Sequence, residues 1–203
     1  AEDLNVSIDP HSHEKAGYNY ADVAYRMSRL GVTPSGVVGG LIAEPPEDSK
    51  LEYLWELKRG KTFPTYQWSP QVLWGGGTSL HIDEEALWIS GIWRPQDNEH
   101  YDTHDNKAPL ATVGHYKSSW DGLDALLALQ TAGALKPGAI YTVSIMNRQG
   151  DFTDEYIEDF SERLETYLDE TADGRLTWTT IQGTYEAWQS RYNETPTRLH
   201  WTE

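Results

Sequence analysis

Tyr20-Ala21-Asp22-Val23-Ala24-Tyr25-Arg26-Met27-Ser28-Arg29-Leu30-Gly31 is the stretch that decides the fold. Tyr20, Val23, Met27 and Leu30 recur at helical spacing, which gives a helix over 20–30 one apolar face. Gly31 stands where a helix C-cap belongs, and Pro34 follows as a residue that cannot continue the turn. Upstream, Leu4 to Ile8 alternates apolar and polar side chains, the pattern of a strand, and runs into Asp9-Pro10. Downstream, Val37 to Ile42 is a short, Gly-containing apolar run and reads as a second strand. Strand, helix and strand within about 40 residues predict a parallel βαβ unit.

Outward from that unit the pattern loosens and then returns. Residues 43–109 are irregular and rich in Pro and Trp, with short strands predicted near Gln71 to Trp74, Leu87 to Trp93 and Leu110 to Val113. After Ser119, Leu123, Leu126 and Leu127 lie on one helical face that ends near Gly133. Ala139 to Met146 reads as a strand, carried by Ile140, Tyr141, Val143 and Ile145. Thr153 can cap the next helix, with Asp154 and Glu155 in its first turn and a core stripe of Ile157, Phe160, Leu164, Tyr167 and Leu168. Asp173-Gly174 turns into a strand over Arg175 to Trp178, and a last helix runs from Thr180 to Tyr192 with Ile181, Tyr185, Trp188 and Tyr192 inward. The strand–helix alternation predicts one α/β domain over residues 1–203, on a mostly parallel sheet or an incomplete barrel.

Composition narrows the functions available. A hydrophobic fraction of 38%, with 12 Tyr, 9 Trp and 3 Phe, is incompatible with a wholly disordered chain. No apolar run approaches the roughly 20 residues needed to span a bilayer. A formal net charge of −16 repels phosphate backbones, so nucleic acid is not an expected partner. The absence of cysteine removes disulfides, thiolate metal sites and a thiol nucleophile, but leaves cytoplasmic and exported locations equally open. The chain opens Ala1-Glu2-Asp3 without an initiator Met, as it would after cleavage of a signal peptide, in an excised fragment or in an incomplete gene.

The chemistry concentrates in Ile8-Asp9-Pro10-His11-Ser12-His13-Glu14. Two His one residue apart at a strand end point to the same side, where neutral imidazoles make good ligands for zinc or another divalent ion. Asp9 can be a third ligand or orient a ligating ring; Glu14 can do the same or act as general base to a metal-bound water. In parallel α/β folds, sites gather at the carboxyl ends of strands, where this loop is expected. His81, His100 and His104 are further candidate ligands, with His100 and His104 expected in a solvated loop; His115 and His200 read as structural. Leu73-Trp74-Gly75-Gly76-Gly77-Thr78 permits close backbone approach to a ligand but lacks the Lys-Ser/Thr of a phosphate loop. Trp74, Trp88 and Trp93 offer faces that stack on pyranose rings, and Arg94 suits a carboxylate or sulfate.

These residues carry a resemblance. Asp9 to Glu14, Tyr18 to Tyr25, Leu30-Gly31-Val32 and Val38-Gly39-Gly40 are similar to bacterial proteins related to the NodB-type polysaccharide deacetylases. Leu73 to Gly77, Ile92-Trp93-Arg94-Pro95 and the segment from Trp178 to Trp201 extend it as short stretches over most of the chain. The resemblance implies a distorted, incomplete (β/α) barrel and a zinc-type metal held by one Asp and two His. It also implies hydrolysis of N- or O-acetyl groups on a glycan by metal-bound water. Carried onto this sequence, the ligands are His11 and His13, the catalytic carboxylates Asp9 and Glu14, and the substrate-binding residues Tyr18, Trp74, Gly76, His81, Trp93 and Arg94.

Three departures weaken the implied activity. The usual His-Ser/Thr-x-x-x-His spacing would place the second ligand near Lys15, so His13 must substitute. The family's metal-binding and basic aspartates lie on an earlier strand than any present here. The late strand that normally ends in a catalytic His reads Val143-Ser144-Ile145-Met146-Asn147. The expectation is therefore a weakly active or inactive deacetylase-like hydrolase. Its alternatives are a carbohydrate-binding or scaffold domain on the same fold and an amidohydrolase-like metal hydrolase that draws ligands from late strands.

Overall fold

The computed structural model describes residues 6–10, 20–38, 68–74, 89–96, 100–116, 119–145, 150 and 152–201. In chain order the elements are α1 (Tyr20–Arg29), β1 (Val37–Val38), β2 (Val72–Trp74), β3 (Ile89–Ser90), β4 (Ile92–Trp93) and β5 (Ala111–Val113). Then follow α2 (Trp120–Thr131), α3 (Asp154–Glu165), α4 (Leu168–Ala172), α5 (Ile181–Arg191) and β6 (Leu199–His200). Ser119, Thr153 and Thr180 cap α2, α3 and α5 by accepting from the N–H groups of Gly122, Tyr156 and Gly183.

The main sheet has the order β1-β2-β5-β4. β1, β2 and β5 run parallel, with Val38 beside Leu73 and Trp74 beside Val113, while β4 closes the edge antiparallel to β5. Alternation along these short strands sorts their side chains onto two faces. Val38, Leu73 and Trp93 pack with Tyr20 and Ala21 of α1 and with Tyr101; Val37, Val72, Ile92, Ala111 and Val113 pack with Tyr185 and Trp188 of α5. Burial on both faces explains why the strands read as continuous apolar runs. Helices on opposite faces make this a layered α/β arrangement, and among the described residues no closed barrel forms.

Three expected strands differ from what is seen. Residues 6–8 carry no ladder; the Ile8 carbonyl accepts from the N–H of Ser35, just ahead of β1, at 3.3 Å. Residues 139–145 are not a strand either. Side chains replace the ladder there: Ser90 Oγ accepts from Thr142 N–H, and the Thr142 hydroxyl accepts from Gly91 N–H, both at 2.8 Å. Arg175 to Trp178 is an irregular lead into the Thr180 cap, with Trp178 42% exposed. The apolar stripe of α3 is also narrower than predicted. Phe160 and Tyr167 pack on Trp120, whereas Ile157 and Leu168 are exposed.

β3 and β6 form a separate antiparallel pair, joining residues 89–90 to 199–200. Gly91, between β3 and β4, has φ +129°, and a Cβ there would lie 2.2 Å from the Thr197 carbonyl oxygen. Thr197 N–H in turn donates to Ile92 O at 2.9 Å, so the C-terminal strap is laced onto the glycine that turns β3 into β4.

Candidate functional site

Of the sequence-predicted site residues, His11, His13, Glu14, Tyr18, Gly76 and His81 lie outside the described residues, as does most of the triple-glycine loop. Asp9, Trp74, Trp93 and Arg94 are described, and they do not converge.

Asp9 is a brace. Its Oδ1 accepts from Ser7 Oγ at 2.7 Å and from the Ser35 hydroxyl, and Ser35 Oγ also accepts from Val37 N–H. Ser35 precedes β1, so this carboxylate is held at the amino-terminal end of the sheet rather than at the carboxyl end where the site was expected. The register separates it from the level of Trp74 by four residues of strand, on the order of 13 Å.

Trp93 and Arg94 are both engaged in internal contacts. Trp93 is fully buried, its indole N–H donates to Tyr101 O at 2.7 Å, and it has no exposed face to offer a sugar. Arg94 lies 5.4 Å over the Trp188 ring and forms a two-pronged pair with Glu194 at 3.1–3.3 Å. Burial alone would raise the Glu194 pKa, but hydrogen bonds from Gln189 and Arg94 outweigh it and hold the carboxyl below the usual range. Arg94→Ala would strip Glu194 of its cationic partner and uncover Trp188. The expected loss is about 2 kcal/mol in urea unfolding, below a fully buried pair because the Glu194 side chain is 39% exposed. A loss under about 0.5 kcal/mol would return Arg94 to the pool of ligand-binding residues.

His104 is likewise occupied: its Nδ1 accepts from Arg94 N–H at 3.1 Å, so Nε2 carries the proton and donates to Asn106 Oδ1 at 2.7 Å. The stretch around it is a turn bridged to Pro95, as the solvated-loop reading expected.

His115, expected to be structural, is the buried histidine at the end of the sheet. β5 ends at Val113, Gly114 N–H donates to Gly91 O, and His115 follows at the carboxyl end of the sheet. Two residues beyond Val113, its ring falls on the α5 side, as does that of Trp74 two residues beyond Val72. The rings meet at 4.9 Å, tilted by 37°. His115 is fully buried, and neither ring nitrogen has a hydrogen-bond partner among the described residues; the same holds for Trp74 Nε1. Burial depresses the imidazole pKa to about 3, so the ring is neutral at physiological pH. Tyr116, next in the chain, takes a left-handed φ of +43°, an uncommon conformation for an aromatic residue. The available signal was positional: a His two residues past an apolar run, behind a glycine, in a parallel α/β chain.

The fold and the site together define a layered α/β domain with an unsatisfied His–Trp pair at the carboxyl edge of its parallel strands. No protein family, curated protein or solved structure matches the chain. Among the described residues no three His, Asp or Glu side chains gather as metal ligands, and no helix is long and apolar enough to cross a membrane.

Proposed function

We propose that this chain is a hydrolase of acylated glycans, with its substrate pocket at the carboxyl ends of β2 and β5. The observation that supports it best is the Trp74–His115 pair, which stands where parallel α/β folds place ligands and leads directly into Gly75-Gly76-Gly77. The His11-Ser12-His13-Glu14 segment supports hydrolysis, with Glu14 as the candidate base now that the Asp9 carboxylate is committed to two serines. The described residues do not by themselves fit a divalent metal. The zinc implied by the sequence resemblance would have to be held by His11 and His13.

The bracing of Asp9 favours a second reading, a glycan-binding domain without chemistry, because it removes one of the two carboxylates that catalysis was to use. Acetate release from acetylated chitooligosaccharides and acetylated xylan, with and without added zinc, separates the two. The hydrolase reading expects turnover that falls at least 100-fold in Glu14→Gln, the scale of a lost general base, and survives Asp9→Asn in whatever fraction stays folded. Glycan binding without turnover would establish the second reading. Turnover unaffected by Glu14→Gln would show that the base lies elsewhere.

A further inference from the structure

We propose that residues 194–201 form an exchangeable strap, which a second copy of this chain receives in place of its own to give a strap-swapped dimer. The proposal is independent of the reading above and rests on the turn that follows α5.

Asn193 and Glu194 both take left-handed backbone conformations, with φ of +50° and +51°. Two such residues in a row, neither of them glycine, are disfavoured by contact between Cβ and the backbone. An asparagine offsets part of this with its short polar side chain, whereas a glutamate does so less readily. Pro196 follows, and a proline pushes the residue before it, Thr195, toward an extended conformation. Two backbone hydrogen bonds belong to the turn alone: Glu194 N–H to Trp188 O at 3.0 Å and Thr195 N–H to Tyr192 O at 2.9 Å. Straightening residues 192–194 into an extended arm would relax both strained residues and give up those two bonds. Asn193 and Thr195 are exposed, so water can replace much of what is lost.

Beyond the turn, the strap's contacts are with surfaces that a second copy also presents. Glu194 pairs with Arg94, Thr195 O accepts from Trp188 Nε1 at 2.7 Å, and Thr197 N–H donates to Ile92 O at 2.9 Å. The Arg198 guanidinium donates to the Asp102 carbonyl, β6 pairs with β3, and Trp201 meets Tyr116 edge-on at 5.0 Å. A strap arriving from another copy finds the same partners, so each of these contacts re-forms between chains. The receiving surface is already shaped for it, because Gly91 leaves room for the Thr197 carbonyl where a Cβ would lie 2.2 Å away. Each copy in the swapped dimer therefore loses only the two turn bonds. What opposes exchange is proximity: a chain's own strap is held at an effective concentration on the order of millimolar. Exchange accordingly needs concentrated chains and a moment when the strap is detached, as during refolding.

The test unfolds the full chain in urea, refolds it at about 1 mM and at about a hundredfold dilution, and sizes the products by light scattering. A dimer is expected from the concentrated sample alone, and it should persist on later dilution because reversal requires the strap to detach. Asn193→Gly accepts the left-handed turn and should lower the dimer fraction, whereas Asn193→Ile resists the turn and should raise it. Their dimerisation constants should differ by about tenfold or more. A charge-swap mixture then identifies the exchanged segment. Arg94→Glu in one copy and Glu194→Arg in another each oppose like charges within a chain, and only strap exchange between the two matches both pairs. Co-refolding them should give heterodimer well above the random share. If neither variant folds alone, soluble heterodimer from the mixture carries the same result. Monomer at every concentration in both wild type and Asn193→Ile would overturn the proposal. So would a dimer equally abundant in Asn193→Gly and Asn193→Ile, or a mixture without excess heterodimer, either of which marks ordinary surface association.

Discussion

Between pH 7 and pH 4 the protein is expected to lose about 3 kcal/mol more stability than a His115→Phe variant. Unfolded, the imidazole takes up a proton near 6.5; folded and desolvated, it does so only near 3. Across that interval the unfolded chain holds one more proton than the folded chain, so acid favours unfolding by about 1.4 kcal/mol per pH unit. The stabilising difference is therefore complete above pH 6.5 and is lost progressively as the pH falls toward 3. Many Asp and Glu side chains titrate in the lower part of the same range, which is why the comparison with His115→Phe carries the prediction rather than the wild-type curve alone. Urea midpoints at pH 7, 6, 5 and 4 give the two curves. Parallel curves would mean that the ring is solvated and titrates normally, and the argument for an unmatched buried imidazole would go with it. At pH 7 the variant should be at least as stable as wild type, because removing both nitrogens removes their unsatisfied burial.

Gly91→Ala is the second large effect expected, a loss of about 3 kcal/mol with no change in any side-chain contact at the candidate site. The φ of +129° is closed to residues with a Cβ, and the added methyl would meet the Thr197 carbonyl oxygen at 2.2 Å. Neither partner can yield freely: Gly91 N–H is held by Thr142 Oγ1, Gly91 O accepts from Gly114 N–H, and Thr197 N–H is held by Ile92 O. Thermal unfolding would measure the loss. A midpoint within about 2 °C of wild type would show that the strap is loosely laid on the sheet.

The four longer helices were legible in the sequence from their apolar spacing, whereas the short helix at Leu168–Ala172, which has no side-chain cap, was not. Thr153 caps where a cap was expected, Ser119 and Thr180 cap as well, and the Tyr185–Trp188 stripe faces the sheet as its spacing requires. The strands at 72–74, 89–93 and 111–113 were legible as short apolar runs, since both sheet faces are covered. Residues 139–145 did not form the expected strand, because Thr142 bonds Ser90, Gly91 and Gly114 through its N–H and hydroxyl in place of a ladder, a choice that propensity does not encode. Tertiary partners also decided the fate of the described candidate-site residues. Trp93 and Arg94 suit sugar binding by residue type, yet Tyr101, Trp188 and Glu194 claim them. His115 was read as structural and is fully buried, yet its ring nitrogens have no hydrogen-bond partner among the described residues.

The lacing of the last segment onto the sheet bears on how the molecule is made. Glu194 holds Arg94 across 100 residues of chain, Gln182 reaches Gly36 across 146, and β6 pairs with β3 across a similar span. Contacts this distant close late, because each must bring together ends of a long flexible loop before it returns any energy. On a ribosome, the backbone groups of β3 and of Ile92 would wait for residues 197–200 to emerge, leaving that edge of the sheet unpaired in the interval. Biogenesis of this protein should therefore depend on a holding chaperone more than its modest size suggests, and slower translation would lengthen that dependence rather than relieve it.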